Sequence, residues 1–534
     1  MKKRFIAGLV LILIVGAIAV TMFSHPSETE ENNTQEEQTP DPPQQPDEPV
    51  HEDSEPEEPE PELPEEPEPE LPEEPVCYEI PESPEWGSDL QIVEVDMGKS
   101  VLIDPLGVWE VSTSVNDTWS QVWMEMTDTW YAAHYTLDIE ENDNGTVNIT
   151  APEPGVYRLM YRAGEDRNLV DIRATKEISH KWNMTGVIFG DVWGELGSSE
   201  FNIAPDDAEC RKKVLYHAMI GPTRVGANYV VFVPAAFYTQ VLPRPLFTQE
   251  GTFLSLANES YYGDLVEASH NAGMKVIHTE QSAPRWDLTP EDHAALETAW
   301  SDPEWVDVWF EAWTEYVIPR AEMAEKYEVE MFIPYLFPEG DTFKAEGYVD
   351  HWRELLREIR LVYSGEIALN MINADERVLP LIDELDAVFI TIFPGLYMSG
   401  LEDQYNPTTE EITEITEGFF HAPREVLGGR IPVYYVFAAQ ATDGQVASED
   451  VEWKTSMMGL DFKEQVIYYE GFFKALEDET WVNGVVSERW DYFDQYVRTG
   501  EGYEAIYFDM TREASPRCKP AEDLIKLWFE LLGT

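Results

Sequence analysis

The segment Glu330-Met-Phe-Ile-Pro-Tyr-Leu-Phe-Pro-Glu-Gly-Asp341 joins a short apolar run to a loop that carries two carboxylates. An apolar run of this length that ends in turn residues is typical of a strand buried on both faces. Upstream of it, apolar residues recur at helical spacing, at Trp305, Val308, Trp309, Ala312, Trp313, Tyr316 and Val317. The segment therefore predicts a helix that leads into a buried parallel strand.

The same alternation of apolar strand and amphipathic helix occurs eight times in the second part of the chain. The strands are predicted at 186–190, 228–233, 274–278, 330–334, 366–370, 386–392, 432–437 and 483–487. Eight such units in about 350 residues predict an α/β fold, a (β/α)8 TIM barrel over residues 176–534. A doubly wound sheet is the alternative, but no G-x-G-x-x-G phosphate loop follows a strand here.

Residues 77–175 have a different pattern, with about seven short alternating strands separated by turn signals such as Asp143-Asn-Gly145. This pattern predicts a small all-β sandwich before the barrel. Within it, Pro154-Gly-Val-Tyr157 resembles the end of an immunoglobulin-like module.

The first 76 residues predict a targeting segment followed by a spacer. Lys2, Lys3 and Arg4 precede an uncharged stretch over residues 5–23, so residues 1–23 form a signal anchor or a cleaved signal peptide. Residues 24–76 are rich in Pro and Glu and contain no Lys or Arg, which is typical of an extended, disordered stalk. We expect a single-pass membrane protein with its C-terminal domains outside the cytoplasm, or a secreted protein if the leader is cleaved.

Composition excludes several classes of protein. The chain has 35 Lys and Arg against 104 Asp and Glu, a formal net charge of −69, which excludes a nucleic-acid binder that works through a positive field. No H-E-x-x-H or G-x-S-x-G motif is present, and we expect no metal and no other cofactor. The three cysteines would allow a Cys210–Cys518 disulfide with Cys77 left over, because the helices after Cys210 and Cys518 are neighbours when a barrel closes. The sequence leaves the oligomeric state open.

Carboxylates and aromatic residues follow the predicted barrel strands, at the end where such barrels carry their chemistry. The catalytic candidates are Glu280, Glu339 and Glu488, and the substrate-binding candidates are Trp193, Asn370, Tyr397, Trp490 and Asp491. Paired carboxylates suit glycosidic cleavage, since one protonates the leaving oxygen while the other attacks or activates water. Aromatic rings stack on the C–H faces of sugars. A carbohydrate is therefore the expected partner.

Five stretches of residues 184–534 resemble a glycoside hydrolase barrel of the large retaining clan, in its β-mannanase-like branch. They are Gly226-Ala-Asn-Tyr-Val230, Ala272-Gly-Met-Lys-Val276, Leu385-Asp-Ala-Val-Phe-Ile390, Gln465 with Tyr468-Tyr469, and Ser515-Pro-Arg-Cys-Lys-Pro-Ala-Glu522. The resemblance implies that Glu339, at the end of the fourth strand, is the general acid/base, although Pro338 stands where the clan has Asn.

The resemblance fails at the end of the seventh strand, where the clan has its nucleophile. Phe437 occupies that position here, and Ala438, Ala439 and Gln440 follow it. Either another carboxylate serves, from among Glu488, Glu280 and Asp443, or the mechanism differs. The expected function is an extracytoplasmic O-glycosyl hydrolase that acts on a poly- or oligosaccharide. The alternative is a surface protein that binds glycan in a degenerate barrel without cutting it.

Overall fold

The structure, a computed structural model, describes the chain from residue 91 onward, with gaps. The described residues are 91–96, 100–103, 118–126, 129–132, 137–142, 146–152, 154–163, 166–178, 180–189, 208–248, 259–284, 288–372, 376–392, 406–442, 461–490, 514–517 and 519–534. The predicted anchor, the stalk, Cys77, Cys518 and the side chain of Cys210 lie outside them. Within the described part of the chain, no helix is both long and apolar enough to cross a membrane.

The N-terminal part of the described chain is all β. Its strands are β1 Gln91–Asp96, β2 Ser100–Ile103, β3 Thr118–Met126, β4 Thr129–Ala132, β5 Asp138–Glu141, β6 Val147–Thr150, β7 Gly155–Ala163 and β8 Asp166–Thr175. They form a five-stranded sheet in the order β1-β8-β7-β3-β4 and a three-stranded sheet in the order β2-β6-β5. Val147 and Ile149 of the smaller sheet share one buried cluster with Leu159 and Val170 of the larger sheet.

Strands and helices then alternate. The strands are β9 Met184–Phe189, β10 Tyr229–Phe232, β11 Ala235–Gln240, β12 Leu246–Thr248, β13 Lys275–Thr279, β14 Gln281–Pro284, β15 Met331–Ile333, β16 Glu366–Met371, β17 Ala387–Ile392, β18 Val433–Phe437 and β19 Gly484–Trp490. The α-helices are α1 Ala208–Arg224, α2 Glu259–Asn271, α3 Pro290–Ala299, α4 Pro303–Lys326, α5 Tyr348–Val362, α6 Thr409–Leu427, α7 Phe462–Leu476 and α8 Pro520–Leu532. Short 3-10 segments lie at Pro338–Gly340, Thr342–Lys344 and Glu376–Glu384.

Eight of these strands close into a barrel in the order β10-β13-β15-β16-β17-β18-β19-β9. All of their pairings are parallel, including the closing pair between β19 and β9. Each of the eight predicted strands coincides with one of them, so the predicted α/β barrel is confirmed. The parallel strands are buried on both faces, which explains why they appear in the sequence as continuous apolar runs.

Side chains alternate along each barrel strand between the lumen and the helix layer. Ile277, Ala368, Phe389, Val436 and Val486 belong to the cluster that fills the lumen. Their neighbours on the same strands, such as Val276, Leu369, Val388, Phe437 and Val485, belong to the larger cluster beneath the helices. This alternation decides which of the candidate residues can face a ligand at the barrel mouth.

Helix α4 shows how local sequence builds the outer layer. The side chain of Asp302 accepts a hydrogen bond from the backbone N–H of Glu304 at 3.1 Å, and Pro303 fills the first helical position. The helix buries the tryptophans of the predicted apolar face, Trp305, Trp309 and Trp313. Trp309 and Trp313 stack with ring centroids 5.5 Å apart, and Trp313 Nε1 donates to the Pro334 carbonyl at 3.2 Å, which fixes the helix to the end of the fourth barrel strand.

A small sheet rises above one side of the barrel. Strands β11 and β14 follow the barrel strands β10 and β13 in the chain and pair in parallel, and β12 adds to β11 as an antiparallel edge. This sheet was not predicted from the sequence. It gives the mouth of the barrel a raised wall beside the loop that carries Glu339.

Candidate active site

The end of strand β19 contains a β-bulge. Ser487 is opposite Val187 of β9, and Trp490 is opposite Phe189, so Glu488 and Arg489 together face one residue of β9. Arg489 has a left-handed backbone with φ of 64°. Val486 points into the lumen, and Ser487 points outward to the Tyr469 hydroxyl at 2.9 Å. Glu488 therefore takes the next lumen-facing position at the barrel mouth.

The carboxyl group of Glu488 is enclosed but poorly satisfied. The residue is 7% exposed, and its buried Oε2 has no hydrogen-bond partner among the described residues. Burial raises the pKa of Glu488 to about 7, and the nearby positive charge of Arg489 offsets only part of this rise. The group can thus gain or lose a proton near neutral pH, as acid/base catalysis requires.

Glu339 lies in a tight turn after the fourth barrel strand. Leu336 bridges to Asn370, and the backbone N–H of Phe337 donates to the Asn370 carbonyl at 2.8 Å. Phe337 then adopts φ of 59° and starts the 3-10 segment that contains Glu339. Oε1 of Glu339 accepts a hydrogen bond from the backbone N–H of Ile372. The carboxylate therefore takes the place of a backbone carbonyl between the ends of the fourth and fifth strands.

Asn370, a predicted substrate-binding residue, lies at the top of β16. It follows the lumen-facing Ala368 by two residues, which places its side chain on the lumen side. Its Oδ1 accepts a hydrogen bond from the Thr391 hydroxyl of β17 at 2.7 Å, and the residue is 3% exposed. Asn370 is thus held rigidly next to the turn that carries Glu339.

Glu280 lies elsewhere, beneath helix α4. Its carboxylate lies 2.8 Å from His278 Nε2 and 3.4 Å from Arg320 Nε, and it accepts a hydrogen bond from the Tyr316 hydroxyl at 3.2 Å. The other ring nitrogen of His278 lies 2.9 Å from the Tyr262 hydroxyl. The residue is completely buried in this network, on the outer side of the barrel. A catalytic role for Glu280 stays a prediction that this placement does not support.

Trp490 also points away from the lumen. It is fully buried in the cluster beneath the helices, against Gly221 of α1, where an added Cβ would come within 3.2 Å of the indole Nε1. In this position the ring has no face open to a sugar. Trp193, Tyr397, Asp443 and Asp491 lie outside the described residues.

Phe437 has a packing role at the end of strand seven. Its ring stacks on Phe472 of α7, with centroids 4.2 Å apart and planes at 6°, and makes an edge contact with Tyr469. It therefore points outward, and the next lumen-facing position of this strand is Ala438. No carboxylate is present at the described end of the strand, as the sequence indicated.

Asp341 is a half-buried carboxylate that was not among the predicted site residues. Its Oδ2 accepts a hydrogen bond from the Tyr335 hydroxyl at 2.6 Å, and its Oδ1 accepts one from the backbone N–H of Thr342. Burial raises the pKa of Asp341 to about 6. The feature of the sequence that could have indicated Asp341 is its position two residues after Glu339. Among the described residues, no group of three His, Cys, Asp or Glu side chains is placed to hold a metal ion.

A comparison with protein families identifies the barrel. Residues 255–510 match the model of Glycoside Hydrolase Family 113, and this span includes six of the eight barrel strands. The barrel is that of a glycoside hydrolase. The resemblance to a retaining-clan barrel of the β-mannanase-like branch, and the prediction of a glycoside hydrolase, are thereby confirmed.

Solved structures of several glycoside hydrolases are similar to the chain. A GH113 β-1,4-mannanase in complex is 20% identical over 66% of this chain and 99% of its own, with a TM-score of 0.46. The GH113 β-mannanase AaManA from Alicyclobacillus acidocaldarius is 18% identical over 66% of this chain and 98% of its own, with a TM-score of 0.46. A GH10 xylanase with a bacterial Ig-like domain from termite gut is 11% identical over 83% of this chain and 99% of its own, with a TM-score of 0.38. A comparison with curated proteins gave no match.

Proposed function

We propose that the barrel hydrolyses O-glycosidic bonds of an extracytoplasmic poly- or oligosaccharide by carboxylate acid/base catalysis. The observation that carries this proposal is Glu488, whose buried carboxyl oxygen has no partner among the described residues and faces the lumen of a glycoside hydrolase barrel. A desolvated carboxyl group without a partner is costly to keep, so its retention at a barrel mouth favours a role toward a ligand.

Register explains how Glu488 can replace the carboxylate that strand seven lacks. Phe437 of β18 is paired with Ser487 of β19, so the lumen-facing Ala438 is next to Glu488. Adjacent strands lie about 4.8 Å apart, which a Glu side chain can span. A carboxylate supplied by the eighth strand therefore serves the same part of the mouth.

In the proposed reaction, Glu339 donates a proton to the glycosidic oxygen as the bond between that oxygen and the anomeric carbon breaks. The ionised carboxylate of Glu488 attacks the anomeric carbon or removes a proton from an attacking water. Where Glu488 attacks, Glu339 then removes a proton from a water that breaks the resulting ester and releases the sugar. By either route, one water is added across one glycosidic bond. Asn370, fixed by Thr391 beside Glu339, is placed to hydrogen-bond a sugar hydroxyl.

The resemblance to the β-mannanase-like branch makes β-1,4-mannan the first substrate to test. The domain division, with an anchor at 1–23, a stalk at 24–76, an immunoglobulin-like sandwich at 77–175 and the barrel at 176–534, belongs to the same proposal. So does the location, on the outer side of a membrane or in the medium after cleavage. A tethered stalk would place the barrel near polymeric glycans outside the cell.

Non-catalytic glycan binding is the second candidate function. The observation that favours it is the end of strand seven, where Phe437 packs outward and Ala438 offers no functional group. A barrel that had lost one catalytic carboxylate would keep its sugar-shaped mouth. It would then bind glycan without releasing reducing ends.

The experiment measures reducing-end release from β-mannan and hydrolysis of aryl glycosides by the full chain. We expect Glu339→Gln and Glu488→Gln to lose most of the turnover. Glu366→Gln should keep it, because Glu366 begins strand β16 at the opposite end of the barrel. We expect Glu339→Gln, but not Glu488→Gln, to keep its turnover on aryl glycosides with good leaving groups. Such leaving groups depart without the proton that the Glu339→Gln variant can no longer donate. Binding of mannan without turnover by the wild type would support the second candidate instead.

A further inference from the structure

The turn that carries Glu339 is held on both sides by side chains that the proposed reaction does not use. On one side, the Thr342 hydroxyl donates to the Pro338 carbonyl at 3.0 Å and accepts from Trp352 Nε1 of α5 at 3.2 Å. On the other side, the Asp341 carboxylate accepts from Tyr335 and from the backbone of Thr342. Glu339 therefore lies in a closed turn whose far end is fixed by Asp341.

The contact to Tyr335 connects this turn to the raised wall of the mouth. The Tyr335 hydroxyl lies 2.7 Å from the Ser282 hydroxyl on β14. On the neighbouring strand β11, the Tyr238 hydroxyl accepts a hydrogen bond from Trp309 Nε1 of α4 at 2.7 Å. Asp341 is thus the end of a polar network that begins on helix α4 and passes through the hydroxyl groups of Tyr238, Ser282 and Tyr335.

Partial loss of hydration makes the charged form of the Asp341 carboxylate unfavourable in this position. Burial raises its pKa, although the hydrogen bonds from Tyr335 and Thr342 lower it. Burial, and in addition the charge of Asp341, raise the pKa of Tyr238 and Tyr335. A neutral amide would fill the same space without the desolvation cost. Groups that reduce stability in this way and remain in place are typical of functional sites.

We propose that Asp341 is a positioning residue, which holds the Glu339 turn against the end of strand five through its hydrogen bond from Tyr335. This inference rests on the proposed function of Glu339. If the link between Asp341 and Tyr335 is lost, the turn loosens at Gly340, and the Glu339 carboxylate leaves the backbone N–H of Ile372. The acid then no longer has a fixed place at the barrel mouth.

The test compares Tyr335→Phe and Asp341→Asn with the wild type in the full chain. Tyr335→Phe removes one hydroxyl and keeps the ring, and Asp341→Asn removes the charge at nearly constant shape. Hydrogen exchange of the Ile372 amide reports directly on the Glu339 contact. Global stability is measured in parallel by denaturant unfolding at pH 8. Asp302→Ala, which removes the N-cap of α4, is the control for a purely structural aspartate.

We expect the Ile372 amide to exchange about tenfold faster in both variants, while amides inside α4 keep their protection. For Asp341→Asn we also expect a higher denaturant midpoint at pH 8 and a lower kcat with little change in KM. A structural role would lower local protection and global stability together, as Asp302→Ala should do for α4. Unchanged exchange at Ile372 in both variants would overturn the proposal.

The outcomes for Asp341 and for the proposed function are separate. If the wild type releases no sugar but the Ile372 amide loses protection in the variants, the positioning role stands and the hydrolytic function fails. If the wild type is active and both variants keep its kcat and its exchange pattern, the hydrolytic function stands and the positioning role fails.

Discussion

Phe437 and Ser487 are paired across strands β18 and β19, and both side chains point outward to helix α7. The next residues on the two strands, Ala438 and Glu488, therefore lie side by side on the lumen side. No carboxylate lies at the described end of the seventh strand, and the neighbouring eighth strand carries Glu488.

The first prediction concerns stability. The pKa of Glu488 is raised from 4.5 to about 7 in the folded protein, so the folded state binds this proton more tightly than the unfolded state does. The contribution of Glu488 to the free energy of unfolding therefore decreases as the pH rises from about 4.5 to 7, by on the order of 3 kcal/mol. Glu488→Gln should be more stable than the wild type at pH 8, and the difference should shrink toward pH 4.5. Chemical denaturation at several pH values measures this, and a constant difference would contradict it.

The second prediction concerns the rate. In the proposed role Glu488 acts in its ionised form, so kcat/KM should increase as the pH rises and level off above about 7. The pH profile on a soluble aryl glycoside provides the measurement. A kcat/KM that decreases through this range would instead mean that Glu488 donates the proton and Glu339 is its ionised partner.

The third prediction moves the carboxylate to strand seven. Ala438→Glu in the Glu488→Gln background should restore part of the lost turnover, because position 438 faces the lumen beside position 488. Phe437→Glu in the same background should not, since it places a charge among Phe472 and Tyr469 at a cost of several kcal/mol. Turnover and unfolding are measured for both double variants. Equal recovery from both positions would show that the assignment of faces on β18 is wrong.

The fourth prediction concerns Glu280. Its carboxylate faces Arg320 and His278 in a fully buried network, so Glu280→Gln should lower the free energy of unfolding by about 3 kcal/mol. We expect kcat per folded molecule to change little. Thermal unfolding and active-site-normalised rates provide the two measurements. A large loss of kcat at unchanged stability would return Glu280 to the list of catalytic carboxylates.

The positions of the barrel strands could be predicted from the sequence because each is a short apolar run between amphipathic helices. The direction of each side chain could not, since both faces of these strands are buried and equally apolar. Tyr434, Tyr435, Val436 and Phe437 show this, because nothing in that order distinguishes the lumen from the helix layer. The outward direction of Glu280 follows only after Ile277 is known to face the lumen.

The bulge at Glu488 and Arg489 explains the other difference at the site. Strict alternation from Val486 would place both Glu488 and Trp490 on the lumen side, which is where the sequence pattern predicts them. The extra residue keeps Glu488 inside and turns Trp490 outward. The sequence contains no Gly at this point to indicate a left-handed backbone, and Arg489 adopts it instead. The network around Asp341 was also hidden, because it joins residues from four separate segments of the chain.

The bulge in β19 determines which residue after Ser487 faces the barrel mouth. A regular strand of the same length would pair evenly with β9 and turn residue 490 into the opening, leaving a hollow next to Gly221, whereas deletion of Arg489 would keep Trp490 opposite Phe189 and pointing outward. The bulge thus decides whether residue 490 faces a sugar at the mouth or packs against the first helix.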